Sequence, residues 1–155
     1  MLKVFIGADH AGTELKEKIK KALKDDGYIV EDLSPSTPEG GDDYPDYAFA
    51  VGENVASNQE SRGILICDTG IGMAIAANKV KNVRAALVSD LFSAKRSREH
   101  NDANVIVFGT ELIKPAEAIE AAKYFLEIAY PYTDRHNRRI NKIKYYETYG
   151  CAPQK

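Results

Sequence analysis

A parallel β-sheet covered by helices on both faces is the fold class this sequence predicts. Three observations carry it. Five short apolar runs alternate with segments of helical periodicity. Runs of that kind suit strands buried on both sides. At 155 residues the chain matches one domain, and no internal repeat, low-complexity segment or long linker divides it.

The elements follow in order. Residues 2–6 form a first strand ended by Gly7. Residues 13–24, "TELKEKIKKALK", carry Leu15, Ile19, Ala22 and Leu23 at helical spacing, and Gly27 stops that helix. Residues 28–33 read as the second strand. Residues 34–46, "SPSTPEGGDDYPD", hold three prolines and two glycines and read as a loop. A helix over 47–56 leads to strand 64–67, then to a helix over 72–79 and strand 84–88. A helix over 90–98 precedes the fifth strand, 105–108. Pro115 suits the first position of a long helix reaching 129. Thr133 is placed to cap an extra C-terminal helix running to 146. The whole is a single-domain, Rossmann-like three-layer αβα sandwich over residues 1–155.

Composition excludes several functions. The chain is 44% hydrophobic with a net charge of -2, so nothing in the bulk charge draws it to nucleic acid. No apolar run is long enough for a membrane span. The first residues, "MLKVFIGADH", enter a strand without signal-peptide character. The two cysteines, Cys67 and Cys151, have no metal-type spacing and read as reduced thiols of a cytoplasmic protein.

In such sheets ligands bind beyond the carboxyl ends of the strands. Cys67 stands at one of these ends, before the amino end of a helix, where unpaired amides favour a thiolate. Asp68 beside it works the other way. A thiol with a pKa near or above neutrality is a usable general base for a carbon acid. Gly70 and Gly72 let backbone amides face a ligand, as a phosphate cradle or an oxyanion hole. Asp9–His10 follow the first strand, and alone they read as a capped turn with a surface histidine. His100 alone reads as a positive charge at a helix end. Arg135 and Arg139, four apart with His136 between them, share a helix face that can clamp phosphate. Otherwise they belong to a solvated basic face with Arg138, Lys142 and Lys144.

Three functions compete. A dinucleotide enzyme fails, because Ile75 stands where the third glycine of the fingerprint belongs and the motif follows the third strand. A phosphoacceptor signalling domain would use Asp68, but it needs an acidic pair after the first strand and a lysine after the fifth. The chain offers only Asp9, and Gly109–Thr110–Glu111. A metal-free enzyme acting on a phosphorylated sugar uses every feature. No histidine pair has metal-ligand spacing.

"GADHAG", "DYPDYA", "CDTGIGMAIAANK", "VRAALVSD", "HNDANV" and "RHNRR" together resemble the ribose-5-phosphate isomerase B family, which includes the galactose-6-phosphate isomerase subunits. The resemblance is collinear from residue 3 to about residue 143. It implies interconversion of ribose 5-phosphate and ribulose 5-phosphate through a cis-enediolate, with no metal and no cofactor. It implies Cys67 as the base, with Thr69 and the amides of residues 68–72 (Asp68, Gly70, Ile71, Gly72) holding the enediolate oxygens. It implies ring opening by His100 helped by Asp9. Phosphate would be bound by His10, Arg135 and Arg139, and the sugar by Asn101. Tyr44, Glu111 and His136 are further site candidates. His100 and Asn101 would come from a neighbouring subunit, so a homodimer with shared sites is expected, or a tetramer built from it. Two departures bear on the substrate. Asp68 replaces a usual glycine, and Glu111 stands where ribose-phosphate members carry arginine and can pair with Arg135 or Arg139. A galactose-6-phosphate isomerase subunit, or an isomerase of another aldose, is the alternative. The tail "YYETYGCAPQK" is expected to pack its tyrosines on the body or on a partner.

Overall fold

The computed structural model describes residues 2–35 and 41–154. Five parallel strands are joined by helices: β1 (Lys3–Ala8), α1 (Thr13–Asp25), β2 (Ile29–Asp32), α2 (Tyr44–Ser57), β3 (Ser61–Cys67), α3 (Ile71–Ala77), β4 (Ala85–Val88), α4 (Leu91–Asn101), β5 (Val105–Gly109), α5 (Pro115–Glu127) and α6 (Asp134–Tyr149). The sheet order is β2-β1-β3-β5-β4.

The order explains which helix covers which face. A crossover between parallel strands is right-handed, so reversing its direction along the sheet sends its helix to the other face. The steps β1 to β2 and β4 to β5 run one way, and those from β2 to β3 and β3 to β4 run the other. Accordingly Leu15, Ile19 and Leu23 of α1 and Ala94 of α4 share a core with Ala118, Ala121, Ala122 and Phe125 of α5. On the opposite face Ala48, Val51 and Val55 of α2 meet Met73, Ala76 and Ala77 of α3. Side chains alternate along each strand. Ile64 and Ile66 therefore enter the first core, and Leu65 and Cys67 the second, beside α3.

Several boundaries differ from those read in the sequence. Gly7 does not end β1, because Gly7 and Ala8 still pair with Leu65 and Ile66. Helix α2 begins at Tyr44, three residues early, since Pro45 fits a first helical turn. Helix α4 continues to Asn101, which puts His100 within its last turn. Its start is firm, as Asp90 and Ser93 form a reciprocal capping box. Thr133 occupies the cap position of α6 without a side-chain bond, and its carbonyl accepts the Asn137 amide instead. Gly27 does stop α1, at φ +87°. The expected loop over 34–46 lies partly outside the described residues.

One residue of α1 departs from its apolar pattern. Lys16 is fully buried beside Ile19 and Leu23, whereas Ala22 is only partly buried. Removing an ammonium from water costs several kcal/mol unless it is fully paired. Lys16 Nζ donates to Asp32 Oδ1 at 3.2 Å, Ser34 Oγ at 3.0 Å and the carbonyls of Ser34 and Pro35 at 3.3 and 3.2 Å. Ser34 Oγ in turn accepts the Ala8 amide at 3.0 Å. The lysine thus ties the chain leaving β2 to the end of β1, where the site begins.

Candidate active site

The chain steps from β1 to β2 in one direction and returns past β1 to β3 in the other, so a crevice opens beyond the carboxyl ends of β1 and β3. Asp9–His10 and Cys67–Asp68 stand on its two sides. Tight loops hold it: Cys67 and Asp68 carbonyls accept the amides of Thr110 and Glu111, each at 3.0 Å.

Cys67 is 5% exposed. Its Sγ accepts the Gly70 amide at 3.1 Å. Burial pushes the thiol above its ordinary value, the Asp9 carboxylate adds to this, and the amides of Gly70, Met73 and Thr69 pull it back. The carboxylate acting on the thiol is therefore Asp9 rather than the adjacent Asp68, whose side chain is exposed and bears on His10 instead. Thr69 Oγ1 lies 3.4 Å from the Ile71 amide, which donates to it. Gly70 is at φ +75°, and a Cβ there would lie 2.4 Å from Leu87. A side chain is excluded on both counts. A Cβ on Gly72 would fall 2.5 Å from the Tyr44 ring, so Tyr44 closes directly over this turn and forms a wall of the crevice.

Asp9 is buried, and its Oδ1 accepts the amides of Ala11 and Gly12, each at 3.1 Å. Burial raises its pKa, against those amides and His10. The turn is thus capped, as its residues suggest, and the carboxylate also acts on the thiol through its charge. His10 is exposed, with Nδ1 2.5 Å from Asp42 Oδ1, which also accepts the His10 amide at 3.3 Å. This bond raises the His10 pKa, and Asp9 and Asp68 add to it. Asp42 was absent from the sequence reading. Its loop follows β2, the neighbour of β1, and only that adjacency brings it to a residue 32 positions earlier.

The remaining candidates lie elsewhere. The Asn101 carbonyl accepts Arg84 Nε at 3.0 Å, just before β4, so the end of α4 sits at the amino edge of the sheet. Val105 pairs with Gly63, four residues before Cys67, which is about 13 Å of strand. His100 precedes Asn101 in the last turn of α4. Its ring stacks on that of His136, with centroids 4.4 Å apart, and the Arg96 guanidinium is 3.3 Å from its Nε2. His136 is buried. Burial, with His100, Arg135 and Arg139 adding, holds its imidazole below the ordinary value. Arg135 and Arg139 are exposed beside it on α6. A single chain therefore holds two separate groups: Asp9, His10, Tyr44, Cys67 and residues 68–72 at one edge, and His100, Asn101, Arg135, His136 and Arg139 at the other. Glu111 is exposed near the first, and among the described residues it pairs with neither arginine.

Fold and site define a class, an α/β protein with acid–base side chains gathered at the sheet's switch point. It is also a particular one. The family described as Ribose/Galactose Isomerase matches residues 4–143, and the chain belongs to it. A crystal structure of ribose-5-phosphate isomerase B from Mycoplasma genitalium with bound ribulose-5-phosphate superposes with a TM-score of 0.91 at 42% identity, covering 96% of this chain and 97% of that one. Ribose-5-phosphate isomerase B of Mycobacterium tuberculosis is 36% identical over 152 residues, 98% of this chain and 94% of the relative. A D-erythrulose-4-phosphate isomerase of Pectobacterium atrosepticum is 39% identical over 147 residues, 95% and 96% of the two chains.

Proposed function

We propose that this chain interconverts ribose 5-phosphate and ribulose 5-phosphate through a cis-enediolate, without metal, in the cytoplasm. The observation that carries this is the buried Cys67 thiol set among amide donors at the switch point. As a thiolate, Cys67 removes the proton from C2 of the open-chain aldose. The electron pair moves into the enediolate, the hydroxyl proton passes from O2 to O1, and the carbon-bound proton returns at C1. Thr69 and the amides around Gly70–Gly72 stabilise the oxygen that gains charge.

Charge argues for shared sites in a homodimer. At the carboxyl edge of one chain, His10 is accompanied by Asp9, Asp42, Asp68 and Glu111. That set repels a phosphate ester. Arg135, Arg139 and His100 lie at the other edge, and a two-fold partner can bring them across the crevice. In this reading His100 opens the sugar ring, with Asp9 polarising the ring oxygen's surroundings. Asn101 contacts the sugar, and His10 with the two arginines holds the phosphate.

The test is a panel of aldose phosphates and free ribose assayed with a chelator present. Turnover of ribose 5-phosphate is expected to survive chelation. Activity lost to the chelator and restored by a divalent metal would overturn the mechanism. Erythrulose 4-phosphate and galactose 6-phosphate belong on the panel, the first because a relative at 39% identity bears that name. A higher kcat/KM for either would move the substrate and leave the chemistry.

Asp42 sets the pH range over which His10 is cationic. His10 has a raised pKa, so its charge is complete below the ordinary imidazole range and is lost as pH rises through the raised value. In Asp42→Asn that loss begins at lower pH. KM for the phosphorylated substrate should be unchanged near pH 6 and several-fold higher near pH 7.5, with kcat little altered; the gain from one exposed charge pair is small. A KM raised equally at both pH values would make Asp42 a structural residue.

A further inference from the structure

On the amino edge of the sheet, clear of Cys67, a cavity of about 440 Å³ opens between the start of β3, the end of α4 and the face of α6. Arg62, Arg84, Arg98 and Lys144 all line it. Among the described residues, the one carboxylate on its wall is that of Asp102. Asp102 is already shared: Arg98 Nη1 donates to Oδ1 at 2.8 Å and Arg84 Nη2 to Oδ2 at 3.0 Å. Arg62 meets only carbonyls, those of Ser61 at 2.7 Å and Gln59 at 3.4 Å. Lys144 has no carboxylate partner among the described residues. Four cations thus face one anion.

Burial, with Arg98 and Arg84 adding and Asp102 opposing, weakens the hold of Arg62 on its proton. Guanidiniums that outnumber the carboxylate among them in a concave site bind planar or tetrahedral oxyanions with several donors at once. The backbone is also unusual here. Asn82, Asp102 and Tyr132, at φ 67°, 45° and 53°, are the non-glycine residues with positive φ among those described, and all three line this cavity. Such conformations collect where a site is held against local preference. Tyr132 is 76% exposed, so its ring is offered to whatever occupies the mouth.

We propose that this cavity binds a phosphoryl dianion, carried by a small phosphate ester or by an inorganic polyphosphate, as a second site distinct from the crevice at Cys67. The inference does not depend on the isomerase reading, because it is tested by binding without turnover. The probes are pyrophosphate and AMP, titrated calorimetrically into the full chain. Because Arg135 and Arg139 also attract phosphate, the background is the Arg135→Ala/Arg139→Ala protein. Both probes are expected to bind it, and adding Arg62→Gln or Lys144→Gln should weaken them at least about tenfold, the scale of one charge-assisted contact. Lys144 is exposed, so its variant folds whatever becomes of Arg62→Gln. Tighter AMP assigns an ester source and tighter pyrophosphate an inorganic one, and the site stands in both cases. No binding to the background protein, or affinities unmoved by Lys144→Gln, would overturn the proposal.

Discussion

Cys67→Ser is expected to lose at least about a hundredfold in kcat on ribose 5-phosphate, with KM nearly unchanged. Proton transfer by a positioned side chain is worth roughly that factor or more. A serine hydroxyl keeps the shape and the hydrogen bond from Gly70, but it has no accessible anionic form. KM is spared because the phosphate contacts of this reading, His10, Arg135 and Arg139, do not touch the thiol. The wild-type pH profile follows from the same side chain. The Cys67 pKa is raised by burial and by Asp9, so near neutrality only a fraction is thiolate. That fraction falls as pH falls, and kcat should climb about tenfold per pH unit through the ordinary thiol range, levelling only above it. The serine variant should lack this rise. Near-normal turnover by Cys67→Ser would remove Cys67 as the base, and Asp9, the carboxylate whose charge raises its pKa, would be the next to replace.

Sequence made the backbone of this site legible because its signals are local. The apolar run closed by Cys67–Gly70 marks a strand end, the one closed near Gly7 marks another one residue short of its true end at Ala8, and strand ends in an α/β sheet are where a crevice forms. The turn glycines also spoke for themselves: Gly70 does take a positive φ, and Gly72 does sit where a side chain would strike Tyr44. Interactions between distant segments were not legible. The bond from Asp42 to His10 depends on β2 lying beside β1. Burial of Lys16 depends on Asp32 and Ser34 arriving from the next strand. A lysine in a helical pattern gives no sign that it will face inward, since its partners are not on its own helix. Asp68 misled for a similar reason. Adjacency in sequence suggested that it would act on Cys67, yet a residue just past a strand end turns away from its predecessor, and the buried Asp9 across the crevice acts instead. The sheet order, with β5 between β3 and β4, was equally hidden, because strand lengths and spacing are the same for either placement.

Mixing Cys67→Ala and His100→Ala proteins, each nearly inactive alone, should restore activity after they are unfolded and refolded together. The structure places the two residues toward opposite edges of the sheet, Cys67 at the carboxyl end of β3 and His100 in the last turn of α4, whose end meets Arg84 just before β4. His100 is also fixed there, stacked on His136. It cannot swing to its own Cys67 without breaking that stack and the end of the helix. A partner related by a two-fold axis can present its His100, Arg135 and Arg139 together, because all three already occupy one surface. Random reassortment leaves about half the molecules as heterodimers. Each has one site with Cys67 from one subunit and His100 from the other, and one site lacking both. Activity should therefore reach roughly a quarter of wild type. If heterodimers form, as shown by a mass tag on one variant, and activity does not return, the two residues do not serve a common site across the interface. The cations that offset Asp9, Asp42, Asp68 and Glu111 would then have to come from elsewhere, since the same partner surface supplies them here.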